Sequence, residues 1–395
     1  MSEHKQSRLQ GREVVVIEAA RTPIGRGHRE KGWFSDVHPN ALLGAAYKAV
    51  IERAGIEPEM VEDVVAGAVT QVGEQSNNIA RNAWLQAGLP VTTPASTVDR
   101  QCGSGQQAVS FAAGLIAAGV HDVMIGAGVE HMGRVPMGSN VAHADEFGTP
   151  FPPELMARYD LIPQGLSAEL IAERWEVTRA EQDELGLRSH QLAARATDEG
   201  RFEREIIPIP ANGSLIATDQ GIRLDTSLEQ LAALKPAFKP DGTVTAGNSS
   251  QISDGAAAVL LMSREKSDEL GLTPRARIYD ATTVGVDAVI MLTGPIPATQ
   301  QLLRRNGMTV DDLDLIEINE AFASVVGAWR RELRPDMDRV NVNGGAMALG
   351  HPLGCSGARL ITTLLHELER SDGELGLVTM CTAGGTGTGT ILQRV

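Results

Sequence analysis

The sequence predicts an α/β protein made of two related halves packed side by side, and three features of the chain indicate this. Strand-like runs alternate with longer helix-like stretches, which is typical of α/β proteins with largely parallel sheets. A glycine turn, a small-residue helix and an apolar strand occur twice in the same order. Glycine makes up 42 of the 395 residues and is concentrated at a few turns. A chain of this length is expected to form two or three domains of roughly 100 to 200 residues.

The first half begins with strand-like residues 13–18, a helical stretch over 41–54 and a second apolar strand over 64–69. A strand-like lead over 95–98 then enters the turn Gln101-Cys-Gly-Ser-Gly105. This turn opens an apolar helix over 106–118, which is followed by a strand over 121–128.

The second half repeats this unit. Cys355-Ser-Gly357 opens a helix over 358–368, and a strand over 375–381 follows. Ser104 and Val123 are 19 positions apart and Ser356 and Val378 are 22 apart, so the two units nearly match in length. An internal duplication explains the match. Two such halves would direct their strand ends and glycine turns toward one cleft, where open α/β sheets bind ligands.

Between the halves, residues 132–250 differ in composition. Prolines punctuate the segment at 136, 150, 152, 153 and 163, and a charged helical stretch covers 167–199. Its apolar anchors, such as Ile171 and Leu185, indicate an inserted domain or lid. The predicted division is therefore 1–131 plus 251–274 for the first half, 132–250 for the insertion, and 275–395 for the second half.

Charge and cysteine content exclude several classes of protein. A net charge of −15 disfavours a nucleic-acid binder, which needs a basic face. The first ten residues are polar and have no apolar core of signal-peptide length, and no apolar run of 18 residues predicts membrane insertion. Three cysteines form neither a disulfide framework nor a metal-ligand spacing, so reduced thiols, no metal and a cytoplasmic location are expected.

Cys102 and His351 are the first candidates for chemistry. A helix N-terminus directly after Cys102 is expected to lower the pKa of its thiol, although most single cysteines are inert packing residues. His351 lies between Gly350 and Pro352 in a turn that also contains glycines at 344, 345, 354 and 357. A neutral imidazole there could accept a thiol proton as a general base. The alternative is a histidine solvated at a surface turn.

Two further positions end apolar strands. Cys381 precedes a glycine-rich turn, where a second thiol could move a proton while backbone N–H groups hold an oxyanion; a buried strand cysteine is the alternative. Asn319 follows the strand-like residues 313–318, where it could cap a helix or present its amide to a carbonyl oxygen. Cys355 is interpreted as a small packing residue near the site.

Taken together, the sequence motifs around Cys102, Asn319, His351 and Cys381 resemble those of the thiolase family. The similarity runs along essentially the whole chain. It includes Arg21-Thr-Pro-Ile-Gly25, the segment 242–255, Asn319-Glu-Ala-Phe-Ala323, Gly350-His-Pro352 with its glycines, and Cys381-Thr-Ala-Gly-Gly385. The resemblance implies a duplicated thiolase-like fold: two βαβαβαββ halves in five α/β/α/β/α layers, with an inserted loop domain. It also implies an acyltransferase, acyl-CoA and CoA as its partners, and a homodimer or homotetramer.

The resemblance also assigns roles to individual residues. It makes Cys102 the nucleophile that is acylated, His351 its activating base and Cys381 the acid/base for the α-carbon. Asn319 would hold a water that forms one oxyanion hole with His351, and the N–H groups of Cys102 and Ala383 would form the other. Ser249 and Ser250 would line the pantetheine channel, and Arg223 would meet the CoA nucleotide. Coenzyme A is a substrate in this family, and no permanently bound cofactor is implied.

Three positions depart from the family pattern. Ala383 stands where glycine is common, so its N–H can serve an oxyanion only if its φ is negative. Pro163-Gln164-Gly165 replaces the usual His-Met-Gly or Met-Gly beside the acyl group, which leaves chain length open. His131 adds a polar group near the cleft, and a hydrogen-bonded structural histidine is the favoured interpretation.

Residues 133–138 resemble the degradative branch of the family, which acts in fatty-acid β-oxidation. The predicted activity is therefore that of a 3-ketoacyl-CoA thiolase, which cleaves 3-ketoacyl-CoA with CoA and can run in reverse as a Claisen condensation. An acetyl-CoA acetyltransferase that forms acetoacetyl-CoA is the alternative. A non-catalytic acyl-CoA or lipid carrier is the more distant one, and a linear, branched or sterol-derived acyl group is compatible with the sequence.

Overall fold

A computed structural model describes residues 11–395, so the prediction about the first ten residues lies outside the described part of the chain. The strands are β1 Val14–Arg21, β2 Gly25–Arg26, β3 Asp63–Gly67, β4 Ala95–Val98, β5 Val123–His131, β6 Ile209–Ala211, β7 Ser214–Ile216, β8 Ser253–Ser263, β9 Ala276–Gly285, β10 Leu315–Ile318, β11 Leu375–Thr382 and β12 Thr386–Arg394. The helices are α1 Pro39–Ala54, α2 Ile79–Gln86, α3 Ser104–Ala117, α4 Ala144–Phe147, α5 Pro153–Met156, α6 Gln164–Arg174, α7 Arg179–Asp198, α8 Leu228–Ala232, α9 Arg264–Glu269, α10 Pro295–Asn306, α11 Ala323–Leu333, α12 Ala346–Leu349 and α13 Leu353–Ser371.

The two halves share one 10-stranded sheet in the order β10-β11-β12-β9-β1-β8-β5-β3-β4, with β2 paired to β8. Only two residue pairs, Val15 with Arg277 and Val16 with Ala276, join the halves across β1 and β9. The prediction of largely parallel strands was wrong. Pairs β3–β4, β3–β5 and β10–β11 are parallel, whereas β8 and β12 return antiparallel between their neighbours. Strand β12 follows β11 through a short loop with no helix between them, and two strands joined in this way pair antiparallel.

Helices and strands alternate in five layers. Helices α1 and α2 cover one face of the first-half strands in an apolar core. Helices α3 and α13 lie side by side between the two sets of strands in a second core. Helices α10 and α11 cover the outer face of the second-half strands. Helix α13 is accordingly buried along nearly its whole length, as a helix between two sheets must be.

The duplication is visible in the order of elements. The first half runs β1, α1, β3, α2, β4, α3, β5 and β8, which is the predicted βαβαβαββ pattern. The second half runs β9, α10, β10, α11, α13, β11 and β12, and its third strand is reduced to a single bridge between Ile316 and Val340.

The insertion between β5 and β8 contains α4 to α8 and the hairpin of β6 and β7. The single helical stretch predicted over 167–199 is two helices, α6 and α7. Glu176 has a φ of 54°, which ends α6, and Thr178 starts α7 with a capping box to Glu181. Among residues 11–395, no helix is long and apolar enough to span a bilayer.

Candidate active site

Cys102 lies in a tight turn at the end of β4. Gln101 has a φ of 49°, a left-handed conformation that is uncommon for a residue with a side chain. The Ser104 hydroxyl stabilises the turn, since it donates to Gln101 O at 2.6 Å and accepts from Arg100 N at 2.8 Å. Strained backbone of this kind is concentrated at functional sites. It places the Cys102 sulfur just before the first turn of α3.

The thiol of Cys102 is only 3% exposed, and the N–H of Ala383 from the other half points at its sulfur. Burial raises the pKa of Cys102 to about 11, although hydrogen bonds from Ala383 N–H and from its own N–H oppose the rise. The prediction of a lowered pKa was therefore wrong, because desolvation outweighs the hydrogen bonds from the two N–H groups. Cys102 is a thiol at neutral pH and needs a base.

Cys381 is the second thiol of the site and lies near the end of β11. It is fully buried, and burial together with the nearby Cys102 raises its pKa far above the usual value for a thiol. The next residues form the loop from Ala383 to Gly385, in which Gly384 and Gly385 have φ values of 77° and 74° and Ala383 has no positive φ. The alanine therefore meets the condition under which its N–H can face the cleft.

His351 is held as a neutral imidazole with a defined tautomer. Its Nδ1 is 2.5 Å from Ser356 Oγ, and that hydroxyl donates its own hydrogen to Pro352 O at 2.8 Å. Ser356 must therefore accept from Nδ1–H, which leaves the lone pair on Nε2. Burial, and secondarily the charge of Arg359, lower the pKa of His351 to about 3. Its Nε2 is thus available as a base at neutral pH.

Asn319 lies against this base. Its Nδ2 is 3.3 Å from His351 Nε2, and its backbone N–H donates to Thr379 O at 3.0 Å on the adjacent strand. Its Oδ1 is buried without a hydrogen-bond partner. A buried amide oxygen of this kind needs a donor from a water or a ligand. Asn319 does not cap α11, because the residue before that helix is Phe322.

Close backbone contact brings the Cys102 turn and the His351 turn together. A Cβ added to Gly128 would lie 2.0 Å from Gly354 O, and one added to Gly105 would lie 2.6 Å from the same oxygen. The buried carboxylate of Glu130 stabilises this contact. It accepts hydrogen bonds from the N–H groups of Val69, Thr70 and Gly354 and from the side-chain amide of Gln75.

The predicted CoA-binding residues lie in two places. Ser249 and Ser250 are beside the Asn319 motif, since Ser250 N donates to Ala321 O at 2.9 Å and Ser249 forms a bridge with Phe322. Arg223 does not join the catalytic groups. It is exposed, and with His190 of α7 it lines a surface pocket of about 390 Å³.

Cys355 and His131 have structural surroundings. Cys355 is fully buried in the core between the sheets, and burial raises its pKa to about 12. His131 is buried with its Nε2 2.9 Å from Phe34 O and its Nδ1 3.1 Å from Asp254 Oδ1. Both interpretations as structural residues agree with these contacts.

Ser356 and Glu130 carry structural roles in the site that the sequence did not reveal. Ser356 lies five residues after His351, and only the fold of the turn shows that its hydroxyl reaches the ring. The described residues contain no group of three or more His, Cys, Asp or Glu side chains placed to hold a metal ion.

Two thiols, a neutral imidazole and an amide converge from two halves of a duplicated five-layer fold. This combination fits the class of enzymes that transfer acyl groups. The sequence models of the thiolase N-terminal domain and the thiolase C-terminal domain match residues 14–265 and 272–394. The chain belongs to the thiolase family.

Named relatives are similar over nearly the full chain. The chain is 46% identical to a steroid 3-ketoacyl-CoA thiolase of Mycobacterium tuberculosis, with 97% of this chain and 94% of the relative covered. It is 45% identical to a 3-ketoacyl-CoA thiolase of Psychrobacter cryohalolentis, with 98% and 99% covered. The crystal structure of the Bacillus anthracis acetyl-CoA acetyltransferase superposes with a TM-score of 0.90 at 39% identity and covers 98% of this chain and 100% of its own.

Proposed function

We propose that this acyltransferase is a 3-ketoacyl-CoA thiolase, which uses CoA to cleave 3-ketoacyl-CoA into acetyl-CoA and a shortened acyl-CoA. One observation carries the proposal: the buried thiols of Cys102 and Cys381 come from opposite halves and are held close together, since a Cβ added to Gly103 would lie 2.8 Å from the side chain of Thr382. Acyl transfer alone needs a single nucleophile. A second thiol suits the protonation of carbon that follows cleavage of a carbon–carbon bond.

In the first half-reaction, the Cys102 thiol gives its proton to His351 Nε2 and its sulfur attacks the β-carbonyl carbon. Collapse of the tetrahedral intermediate breaks the bond between the α- and β-carbons, and the electron pair remains on acetyl-CoA as an enolate. Cys381 then donates its proton to the α-carbon. The raised pKa of Cys381 supports this role, because the group is a protonated thiol at neutral pH.

In the second half-reaction, the Cys381 thiolate takes the proton of the incoming CoA thiol. The CoA sulfur attacks the acyl group on Cys102, and the departing Cys102 sulfur recovers its proton from the His351 imidazolium. All groups return to their starting protonation states. The reverse sequence is a Claisen condensation.

Two sets of donors are placed for the oxyanions. The N–H groups of Cys102 and Ala383 both lie beside the Cys102 sulfur, close to the carbonyl oxygen that an acyl group on this sulfur would carry. The unpartnered Asn319 Oδ1 beside His351 fits a bound water that would stabilise the enolate oxygen. We assign Ser249 and Ser250 to the pantetheine arm and Arg223 to the CoA nucleotide.

The most direct test is the mass of the protein after mixing with acetyl-CoA or a 3-ketoacyl-CoA. The wild type is expected to gain one acyl group on Cys102, and Cys102→Ala is expected to gain none while still binding acyl-CoA. If the wild type binds acyl-CoA and never acquires the increment, the proposed mechanism is wrong and a carrier function is favoured.

The alternative substrate range is that of an acetyl-CoA acetyltransferase, the name of the Bacillus anthracis structure. Thiolysis of acetoacetyl-CoA, a long linear 3-ketoacyl-CoA and a steroid-derived 3-ketoacyl-CoA separates the candidates. A rate confined to the four-carbon substrate contradicts the first proposal. A preference for the steroid-derived thioester would match the name of the Mycobacterium tuberculosis relative.

The proposed assembly is a homodimer or homotetramer. Strand β4 supports it, because β4 lies at the edge of the sheet with β3 as its only strand neighbour in the sheet order, and an open edge can pair with a second copy. Light scattering after size-exclusion chromatography tests the assembly.

We further propose a cytoplasmic location, in keeping with three unpaired cysteines. We also propose that residues 132–250 form an inserted domain.

A further inference from the structure

The side chain of Gln106 links the helix of the first thiol to the strands that carry the second. Its Nε2 donates to Val378 O at 3.1 Å on β11 and to Thr390 Oγ1 at 2.8 Å on β12. Its Oε1 accepts from Thr388 Oγ1 at 2.5 Å, also on β12. Gln106 is fully buried, and both amide hydrogens and the amide oxygen are engaged.

The surroundings of this amide are apolar. Helix α3 packs through Val109 and Ala112 into the core that contains Val378 and Met380. Apolar packing is non-directional and does not fix how a helix is placed along a sheet. A buried polar group with a single set of partners can fix it, as a buried asparagine fixes the register of a coiled coil.

The bonds of Gln106 lie close to both thiols. Gln106 is one helical turn after Cys102, and Val378 is three residues before Cys381. Thr388 and Thr390 pair with Met380 and Val378 in the β11–β12 ladder, so the amide holds both strands next to Cys381 and to the loop that presents Ala383.

We propose that Gln106 is a positioning residue that fixes the placement of Cys102 relative to Cys381 and Ala383. This inference rests on the proposed function, in which both thiols act on one substrate. Gln106 touches neither the substrate nor the reacting atoms. It is needed for the steps that use Cys102 together with Cys381 or Ala383, and it is not needed for the activation of Cys102 by His351.

His351 is held by contacts that do not involve the Gln106 amide. They are the hydrogen bonds from His351 Nδ1 to Ser356 Oγ and from His351 N to Gln251 O and Ser253 Oγ. Alkylation of Cys102 by iodoacetamide requires only this base and the nucleophile. The ratio of turnover to alkylation rate therefore reports the placement of Cys102 relative to Cys381 and Ala383.

The test variant is Gln106→Met, which preserves the length of the side chain and removes its hydrogen bonds. A displacement of about 1 Å can lower a rate by up to about 100-fold, so kcat for thiolysis is expected to fall about 10- to 100-fold. The KM values and the rate of Cys102 alkylation are expected to stay within about threefold of the wild type. A kcat within threefold of the wild type, or an equal fall in kcat and alkylation, overturns the proposal.

Two companion variants separate placement from stability. Gln106→Met leaves the Thr388 hydroxyl buried without its acceptor, so the double variant with Thr388→Val is expected to regain stability while kcat remains low. Recovery of kcat together with stability would contradict the proposal.

Gln182→Met is the matched control. Gln182 is fully buried and donates to Val177 O at 3.1 Å and to Thr243 Oγ1 at 3.0 Å, within the insertion. Its kcat is expected to stay near that of the wild type.

Failure of this inference is distinguishable from failure of the proposed function. If the wild type acquires no acyl group on Cys102, the proposed function is wrong. If the wild type is acylated and Gln106→Met turns over normally, only the positioning role is wrong.

Discussion

The hydrogen bonds of His351 determine which of its nitrogens can act as a base. Ser356 occupies Nδ1, and the lone pair of Nε2 faces the amide of Asn319. A catalytic pKa near the working pH is the usual arrangement for a general base. This site differs, since the proposed base His351 and the proposed nucleophile Cys102 have pKa values far on either side of neutrality. In the proposed mechanism, proton transfer therefore occurs within the attack on the substrate.

This separation predicts an unusual pH profile for the single-turnover acetylation of Cys102 by acetyl-CoA. The pKa of His351 is lowered to about 3, so its base form is present at any pH above that value. The pKa of Cys102 is raised to about 11, so its proton is present below that value. The rate constant at saturating acetyl-CoA is expected to be independent of pH between these limits wherever the protein stays folded. Rapid-quench flow with detection of the acetylated protein by mass spectrometry measures it. An inflection near the ordinary histidine pKa of about 6.5 would contradict this assignment.

Removal of the Ser356 hydroxyl is expected to slow the same step. In Ser356→Ala, Nδ1–H loses its acceptor and the ring is free to change tautomer or to rotate. Loss of such an orienting partner typically costs about 10- to 100-fold in activity, and that fall is expected for the acetylation rate. Ser267→Ala is the control, because this buried serine donates to Leu272 O at 3.1 Å far from the site. Equal rates for both variants would show that Ser356 has no orienting role.

At the level of residues, sequence motifs identified the groups of the site better than their protonation states. Cys102, Cys381 and His351 stand in or next to glycine-rich turns, and Asn319 directly follows an apolar strand, features that a sequence displays directly. The pKa of Cys102 depends on how completely both halves exclude water. The hydrogen bond between Ser356 and His351 depends on the path of one turn. Neither property is local in the sequence.

Glu130 at the end of β5 connects elements from both halves. Burial raises its pKa, and hydrogen bonds from Thr70, Val69, Gln75 and Gly354 oppose this rise.

The sequence predicted helices and strands well where apolar periodicity was strong, as at α1, α3 and β11. It placed α6 and α7 in one helical stretch because the break depends on the left-handed backbone of Glu176, which no glycine or proline marks.

Glu130→Gln is expected to destabilise the fold. An amide can accept with only one oxygen and presents a donor to backbone N–H groups that are already donors. Stranding one or more of these buried groups costs about 1 to 3 kcal/mol in the free energy of unfolding. Urea denaturation followed by circular dichroism measures it. Glu265→Gln is the control, because the Glu265 carboxylate is largely exposed beside Arg12 and its replacement is expected to change stability by less than about 1 kcal/mol. A Glu130 variant as stable as this control would rule out the connecting role.

The molecule as a whole is a duplication whose two copies share their central layer. Helices α3 and α13 contribute to one core with strands from both halves. The sequence revealed the repeat through its spacing, but not the antiparallel strands β8 and β12 that complete each half. β8 pairs with β1 and β5, which are distant in the chain, and β12 pairs with the distant β9 as well as with the adjacent β11. Local periodicity carries no information on such distant partners.

A shared core predicts that the two halves unfold together. Trp84 and Trp329 are fully buried in the outer cores of the first and second half. With Trp33 and Trp175 replaced by Phe, two further variants can each retain one of these reporters. Their urea unfolding curves are expected to share one midpoint with the circular dichroism signal of the same variant, as in a cooperative transition. Separated midpoints within one variant would show that the halves are independent units.

The contact between Gly128 and Gly354 has a consequence for how such an enzyme changes over evolutionary time. After a gene duplication, each copy can ordinarily drift without regard to the other. Here a side chain at either glycine would collide with the backbone of the sister copy, so mutations in one half are selected against by the shape of the other. The two copies are therefore no longer free to change independently at this contact.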